Sequence, residues 1–493
     1  GLSSHDIFGK NGKILLLSYI EGIEDAASEG DTPSEADGNG KGTAGKLLPL
    51  LREDHVPAEV LTSENEMTFT IGDRMNGMQT EYNNIPVYSD LYTGGIVGYC
   101  ERDSRMHIVN SRNSGNLSRR SQAQTQGDGV SLKAYLESRE LDAEIKELEG
   151  EDLNLEISIG GGIIGANLEN QIIDHCINTG TMNGFIGLGG IVGFNAGGVF
   201  NCQLSDNFGN PGLDYIGGIA GLNVHAGGAK EGAGGIGRKT STYTDVLGNQ
   251  WNDFTSGTVA QCSTQEKRNI SGRSYVGGIV GYNGTNGVIK DCASYFSDYG
   301  GFIFQMIVDK WKAAGDCAGG LAGYNNGEVV FNSNSEGIQV KSISSIVVGD
   351  NYVGGVIGFN DVDGTLDVAY TLIGGQIHGY GNAVGGCIGL NASEEILETE
   401  LAISPTSIKG NYHVGGCIGA NVVNLTKNRA MTKVKADNRL GSITGNAFTG
   451  GVIGYQRTYT EEQLKEELNN ANPGWLGQAG GSGFGGNGSS SHD

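Results

Sequence analysis

The sequence predicts an all-β fold, a parallel β-helix (β-solenoid) built from coils of about 30 residues. Three observations carry this expectation. A glycine-anchored motif recurs ten times, most copies lie near 30 residues apart, and the apolar runs between them have the length of strands rather than helices.

The motif is clearest at Tyr275-Val276-Gly277-Gly278-Ile279-Val280-Gly281-Tyr282-Asn283. Its first glycine recurs at Gly94, Gly161, Gly189, Gly217, Gly277, Gly319, Gly354, Gly385, Gly415 and Gly450. The intervals are 67, 28, 28, 60, 42, 35, 31, 30 and 35 residues, so the longer ones carry insertions. Glycine supplies 86 residues and proline 7. Collagen needs a strict triplet and abundant proline, which leaves corners and close backbone contacts as the use for so much glycine. Gly278 and Gly355 are expected where a side chain would strike the next turn of the chain.

The closing asparagine occurs in eight copies: Asn167, Asn195, Asn223, Asn283, Asn325, Asn360, Asn391 and Asn421. Cys100 and Gln456 hold the slot in the other two. Stacked asparagines bond amide to amide, so these eight are expected to form a ladder along the axis. The preceding residue is Tyr, Phe, Leu or Ala, a column expected in or near the core.

A second element lies between copies, as in Gly198-Val199-Phe200-Asn201-Cys202 and Gly287-Val288-Ile289-Lys290-Asp291-Cys292. Each repeat therefore predicts two or three strands of about 4–6 residues. One repeat cannot bury a core, but ten to twelve stacked coils form a rod roughly 50–60 Å long at about 4.8 Å per strand. The crossover rule favours a right-handed coil.

The remaining segments set the domain organisation. Residues 1–90 are read as a divergent first coil or cap that carries an acidic loop at 24–46. Residues 91–458 are the solenoid, 459–476 a C-terminal capping helix opened by Thr460-Glu461-Glu462-Gln463, and 477–493 a Gly/Ser-rich tail. Short helical insertions are expected at 132–148 and from Phe302 to Trp311. The start at Gly1 suggests a processed chain or an excerpt.

The formal net charge of −24 disfavours nucleic acid and anionic membrane surfaces as partners. No apolar run approaches 18 residues, so no helical membrane insertion is expected. The eight cysteines alternate with Ile, Val and Ser in their slots, which predicts small buried thiols rather than bridges. No two lie two to four residues apart, as zinc would want.

Candidate chemistry is sparse. Gly-rich turns lack the Lys-Ser/Thr ending of a phosphate loop, the eight histidines are scattered, and carboxylate pairs such as Glu394-Glu395 fall in loops. No catalytic set and no cofactor are expected. The best ion candidate is a Ca²⁺ loop at Asp361, Asp363 and Asp367, spaced around Gly364, although a plain Asx-rich turn explains the same residues. Binding is expected on insertions at 118–158, 224–256 and 294–316. The last holds Tyr295, Phe296, Tyr299, Phe302, Phe304 and Trp311, dense enough for a contact surface or simply for pinning the insertion to the rod.

The Gly-Gly-Ile-Val-Gly-Tyr-Asn core, with its upstream Gly-x-Ile-x-x-Cys, resembles the GLUG repeat over roughly Tyr92 to Tyr455. That repeat is found in secreted bacterial surface proteins and in the non-catalytic region of immunoglobulin A peptidases. The resemblance implies an extracellular, cell-surface setting and a stalk, adhesin or fibre subunit. Its partners would be a host or cell-surface glycan or protein, or further copies stacked end to end or laterally. The zinc His-Glu-x-x-His helix of those peptidases is absent, so their activity does not carry over. The alternatives are a non-catalytic segment of a large surface protease, and a β-helix polysaccharide lyase or glycosidase.

Overall fold

A computed structural model describes residues 69–72, 80–89, 92–100, 106–119, 159–168, 171–183, 187–205, 214–224, 241–254, 257–264, 269–284, 286–294, 302–305, 316–330, 342–367, 372–393, 402–403, 407–424 and 441–459. These residues form strands wound as a parallel solenoid. No helix of theirs is long and apolar enough to cross a membrane.

One coil shows the plan. The chain runs through Ile159–Gly161, Ile164–Asn167, Ile172–Asp174, Ile177–Asn178 and Met182–Asn183, then enters the next coil at Leu188–Gly189. The first four strands each pair in parallel with counterparts above and below, and Met182–Asn183 pairs in parallel with Leu117–Arg119. A coil thus holds up to five strands, not the two or three expected, because its polar corners consume so few residues. Described strands run from two residues, as at Ile177–Asn178, to eight, as at Ser342–Gly349.

Two ten-stranded sheets run the full height. The glycine sheet extends from Tyr92–Gly94 to Ala447–Gly450, and the asparagine sheet from Val97–Tyr99 to Ile453–Tyr459. All ten first glycines are register partners in one file. The 67- and 60-residue intervals therefore each climb one rung. Eight- and six-stranded sheets complete the coil lower down, ending at Thr365–Asp367 and Ala293–Ser294. A three-stranded sheet precedes the glycine strands in the first coils, and a seven-stranded sheet that begins at Asn269–Gly272 precedes them later. Phe69–Ile71, Thr80–Asn83 and Val87–Ser89 provide the first rung of three of these sheets.

The glycines are explained by backbone packed directly on backbone. A Cβ on Gly217 would lie 1.9 Å from the Ala220 carbonyl oxygen and 2.7 Å from the Gly281 nitrogen one rung on. A Cβ on Gly281 would lie 2.6 Å from the Ile216 nitrogen. The glycine and asparagine sheets thus touch along both files, far closer than the roughly 10 Å that interleaved side chains impose. The second glycine meets the rung above: a Cβ on Gly190 or Gly218 would stand 2.0 or 2.1 Å from the next carbonyl oxygen.

Apolar side chains fill what the glycines leave. One compartment stacks Ile173, Val199, Val259, Ile289 and Val329 against Ile191, Ile219, Ile279, Leu321 and Val356. A second stacks Ile216, Val276, Val353, Val384 and Val414 against Ile270, Val347, Ile377 and Ile408. The column before the asparagines packs with the aromatic residues of the glycine strands, as Tyr282 does with Tyr215 and Tyr275 (both 5.9 Å between centroids), and each column stacks on itself, Tyr215 on Tyr275 (5.0 Å) and Tyr282 on Tyr324 (4.4 Å). Stacking follows directly from parallel register, because identical slots lie one strand spacing apart.

Two expectations change. Phe302–Gln305 is a strand, not the start of a helix, paired in parallel with Asn269–Gly272 and Ser342–Gly349. The Phe-Ile-Phe-Gln run is β-prone, and neighbours on both sides satisfy its backbone. The helices expected at 132–148 and from Thr460 lie outside the described residues.

All eight cysteines are free thiols. Cys176, Cys202, Cys262 and Cys292 form a buried file in which each sulfur donates to the carbonyl two residues back, at 3.1–3.4 Å. A bridged sulfur has no proton to donate, so these bonds belong to the reduced file. Burial pushes the Cys202 and Cys317 thiols well above their usual range. Alkylation of the native protein is expected to spare the buried seven, and alkylation after denaturation without reductant to label all eight. A stoichiometric Cys387–Cys417 bridge would contradict this.

Candidate interaction surface

The interior is occupied by the asparagine ladder. Each Nδ2 donates to the Oδ1 one rung on: Asn167 to Asn195, Asn195 to Asn223, Asn223 to Asn283, Asn283 to Asn325 and Asn325 to Asn360, all at 2.7 Å. It continues through Asn391 (2.9 Å) and Asn421 (2.8 Å), and the longer Gln456 accepts the last donation at 2.7 Å. All eight asparagines are fully buried. Every donor points the same way, so the amides polarise one another along the file. At the start, where Cys100 holds the slot, Asn167 Oδ1 has no hydrogen-bond partner among the described residues. A second, shorter ladder was not anticipated: Asn83 to Asn113 and Asn113 to Asn178, both 2.8 Å. The shared Asn-Ser/Thr-Gly at Asn113-Ser114-Gly115 and Asn178-Thr179-Gly180 was the available signal.

The outer face carries a hairpin. Within the expected insertion at 224–256, Ser241–Thr244 and Gln250–Phe254 form an antiparallel hairpin. Tyr243 stacks on Phe200 (5.3 Å), Trp251 packs against the same ring (5.0 Å), and both sit with Ile172 and Ala260. The Lys290 ammonium lies 5.7 Å from the Trp251 ring centroid. Two carboxylates clasp the hairpin to the coil. Asp174 accepts from the Tyr243 hydroxyl (2.8 Å), the Val246 amide (2.7 Å) and Asn201 Nδ2 (2.9 Å). Asp245 accepts from Asn201 Nδ2 (3.0 Å), Trp251 Nε1 (3.0 Å), Asn249 Nδ2 (2.9 Å) and the amides of Leu247 (3.0 Å) and Asn249 (2.7 Å).

Burial raises the Asp174 carboxyl. It works the same way on Asp245, but the bonds from Asn249, Trp251 and Asn201 outweigh it and hold that carboxyl low. With both carboxylates so fully bonded, the arrangement fixes a loop rather than offering a general acid and base. The hairpin's tip is open: Leu247 is 60% exposed.

The other predicted residues fare differently. Tyr295, Phe296, Tyr299 and Trp311 lie outside the described residues, and Phe302 and Phe304 belong to a strand of the seven-stranded sheet. Removing 294–316 would therefore remove a rung. Asp361, Asp363 and Asp367 are not brought together as a ligand set, and no group of three His, Cys, Asp or Glu that could hold a metal occurs among the described residues. Asp361 instead accepts from the Tyr324 hydroxyl and the Val362 amide, while Asp367 lies in the strand Thr365–Asp367. The turn closes through the Gly364 amide to the Asp361 carbonyl at 2.9 Å, the Asx-rich turn weighed against the ion loop. A surface not anticipated lies where the seven-stranded sheet turns into the glycine sheet, where Tyr380 (52%) and Tyr412 (39%) are exposed on adjacent rungs beside Asn351 and Asn382.

Asp316 lies on the same flank. Burial, reinforced by the charge of Asp350 and opposed by the amide of Asn351, pushes its carboxyl up to about 7. A raised carboxyl binds its proton more tightly folded than unfolded, so its contribution to stability falls as pH rises from 3.8 towards about 7. Asp316→Asn is expected to flatten that part of the stability profile, read as Tm at pH 4.5 and pH 8. An unchanged slope would show that Asp316 does not titrate there.

Compared with known proteins, the chain matches no family model, no curated protein and no solved structure.

Proposed function

We propose that this protein is a non-enzymatic rod at a bacterial cell surface, a stalk, adhesin or fibre subunit that displays interaction elements from its side. The observation that carries this reading is the hydrogen-bonded amide file from Asn167 to Gln456, which joins nine successive rungs into one rigid stack. A scaffold whose interior is given wholly to stacking leaves recognition to its outer elements. The clasped hairpin with Leu247 at its tip, and the Tyr380–Tyr412 corner, fit that role towards a glycan or protein partner. The GLUG-like repeat supports the extracellular setting. No nucleic acid and no cofactor enter the reading, in keeping with a net charge of −24.

The test pairs turnover with adhesion. Acidic and neutral polysaccharides, with and without Ca²⁺, are expected to yield no new chain ends. Beads bearing the full chain are expected to bind immobilised glycans or host-cell surfaces, and to lose binding on Leu247→Asp or on Tyr380→Ala with Tyr412→Ala. Reproducible cleavage abolished by mutating one carboxylate would replace this reading with the polysaccharide lyase or glycosidase.

A further inference from the structure

The last rung is an open end. Among the described residues its strands Ser442–Thr444, Ala447–Gly450 and Ile453–Tyr459 have partners on one side only, in Ser407–Lys409, Tyr412–Gly415 and Ile418–Asn424. The side chains that would be core in any inner rung are uncovered here. Val452 occupies the slot of Val356, Cys387 and Cys417, which are 0%, 0% and 2% exposed, yet Val452 is 42% exposed. Phe448 follows Tyr352 (3%), Ala383 (2%) and His413 (1%) in its file and is 56% exposed. Gly451, whose counterpart Gly416 is wedged against the rung above, has nothing within 4 Å of a Cβ position. Such an end combines apolar surface with open strand edges and invites pairing unless something covers it.

We propose that residues 460–476 of this same chain cover that end, closing the solenoid in cis so that it does not extend by stacking on a second copy. Two observations select this occupant. The first is where the chain goes. The final strand stays paired to its last residue, Tyr459 against Asn424, so the next residues leave from the rim of the open end. They read Thr460-Glu461-Glu462-Gln463-Leu464-Lys465-Glu466-Glu467-Leu468, with Ala471, Trp475 and Leu476 beyond. Leu464 and Leu468 are four residues apart, the spacing that would put both on one face of a helix. A helix of about 12 residues would span roughly 18 Å, enough to cross a coil of strands this short.

The second observation is that the two ends do not match. The first coil opens with strands of the eight- and six-stranded sheets, Phe69–Ile71 and Thr80–Asn83. Among the described residues those sheets stop at Thr365–Asp367 and Ala293–Ser294, rungs short of the C-terminal end. A second copy set on this end would continue the glycine and asparagine sheets but leave Phe69–Ile71 and Thr80–Asn83 without strands to pair with. A cover shaped for the smaller end would bury Phe448 and Val452 without leaving those first strands unpaired.

The test is photo-crosslinking of the full chain with p-benzoylphenylalanine in place of Phe448 and, separately, of Val452. Both positions are exposed in the stack, so folding is expected to tolerate the probe. The expected product is a monomer in which the probe is joined to a peptide from 460–476, and the joint is lost in a Leu464→Ser, Leu468→Ser, Trp475→Ser variant. Cross-linked dimers joining the probe to residues 69–99 would overturn the proposal in favour of end-to-end stacking. A monomer with no joint to 460–476 would overturn it as well.

Discussion

Replacing Asn325 with leucine is expected to destabilise the solenoid by about 3–5 kcal/mol, since each stranded buried polar group costs about 1–3 kcal/mol. The shapes are close, so the loss is polar rather than steric. Asn325 accepts from Asn283 and donates to Asn360, both at 2.7 Å, and it also donates to the Gly327 carbonyl at 3.2 Å. The substitution leaves Asn283 Nδ2 and Asn360 Oδ1 buried without their ladder partner. Asn167→Leu provides the control. Its Oδ1 already lacks a partner among the described residues, so Asn195 is the only ladder neighbour affected and the cost is expected to be roughly half. Urea unfolding followed by far-UV circular dichroism measures both. Equal losses at Asn325 and Asn167 would show that the ladder does not act as paired links.

The second large effect is steric and carries its own control one rung away. A Cβ on Gly416 would sit 2.0 Å from the Gly451 carbonyl oxygen. The obstacle is backbone held in a ladder, so no side chain can swing aside. Gly416→Ala is expected to cost about 3 kcal/mol or more, the upper end of overpacking effects. Gly451 holds the same slot in the last rung, where no further rung stands against it, and Gly451→Ala is expected to stay within about 0.5 kcal/mol. Comparable losses at the two positions would mean that alanine acts here through backbone conformation rather than contact with the next rung.

Much of the fold was legible in the chain because a solenoid writes its three-dimensional repeat into the sequence. Gly-Gly at ten positions and asparagine at eight set the register, and the observed pairing joins those positions one to the next. One feature was misjudged by reading locally, and another was left open between two readings. Phe302 to Trp311 has apolar residues at spacings that suit a helix, but the strand edges of Asn269–Gly272 and Ser342–Gly349 recruit Phe302–Gln305 into a sheet. Asp361, Asp363 and Asp367 have a spacing that suits either Ca²⁺ or an Asx-rich turn, and Tyr324, 37 residues earlier, is the residue that donates to Asp361. Each outcome was decided by a neighbour remote in sequence and adjacent in the stack.

What the sequence determined alone is the rung: which residues face inward, which slots stack, and which files must be glycine or asparagine, since identical residues at a constant interval have one way to meet in parallel register. What only the tertiary structure decided is everything that depends on contact between coils or with an insertion. It placed the 241–254 hairpin on Phe200, joined Asp174 to Asp245 through Asn201, and left Phe448 and Val452 uncovered at the end. The physical reason is that stacking is periodic and can be read from a period. Burial, carboxylate partners and exposed edges depend instead on which non-repeating segment comes to rest against which coil.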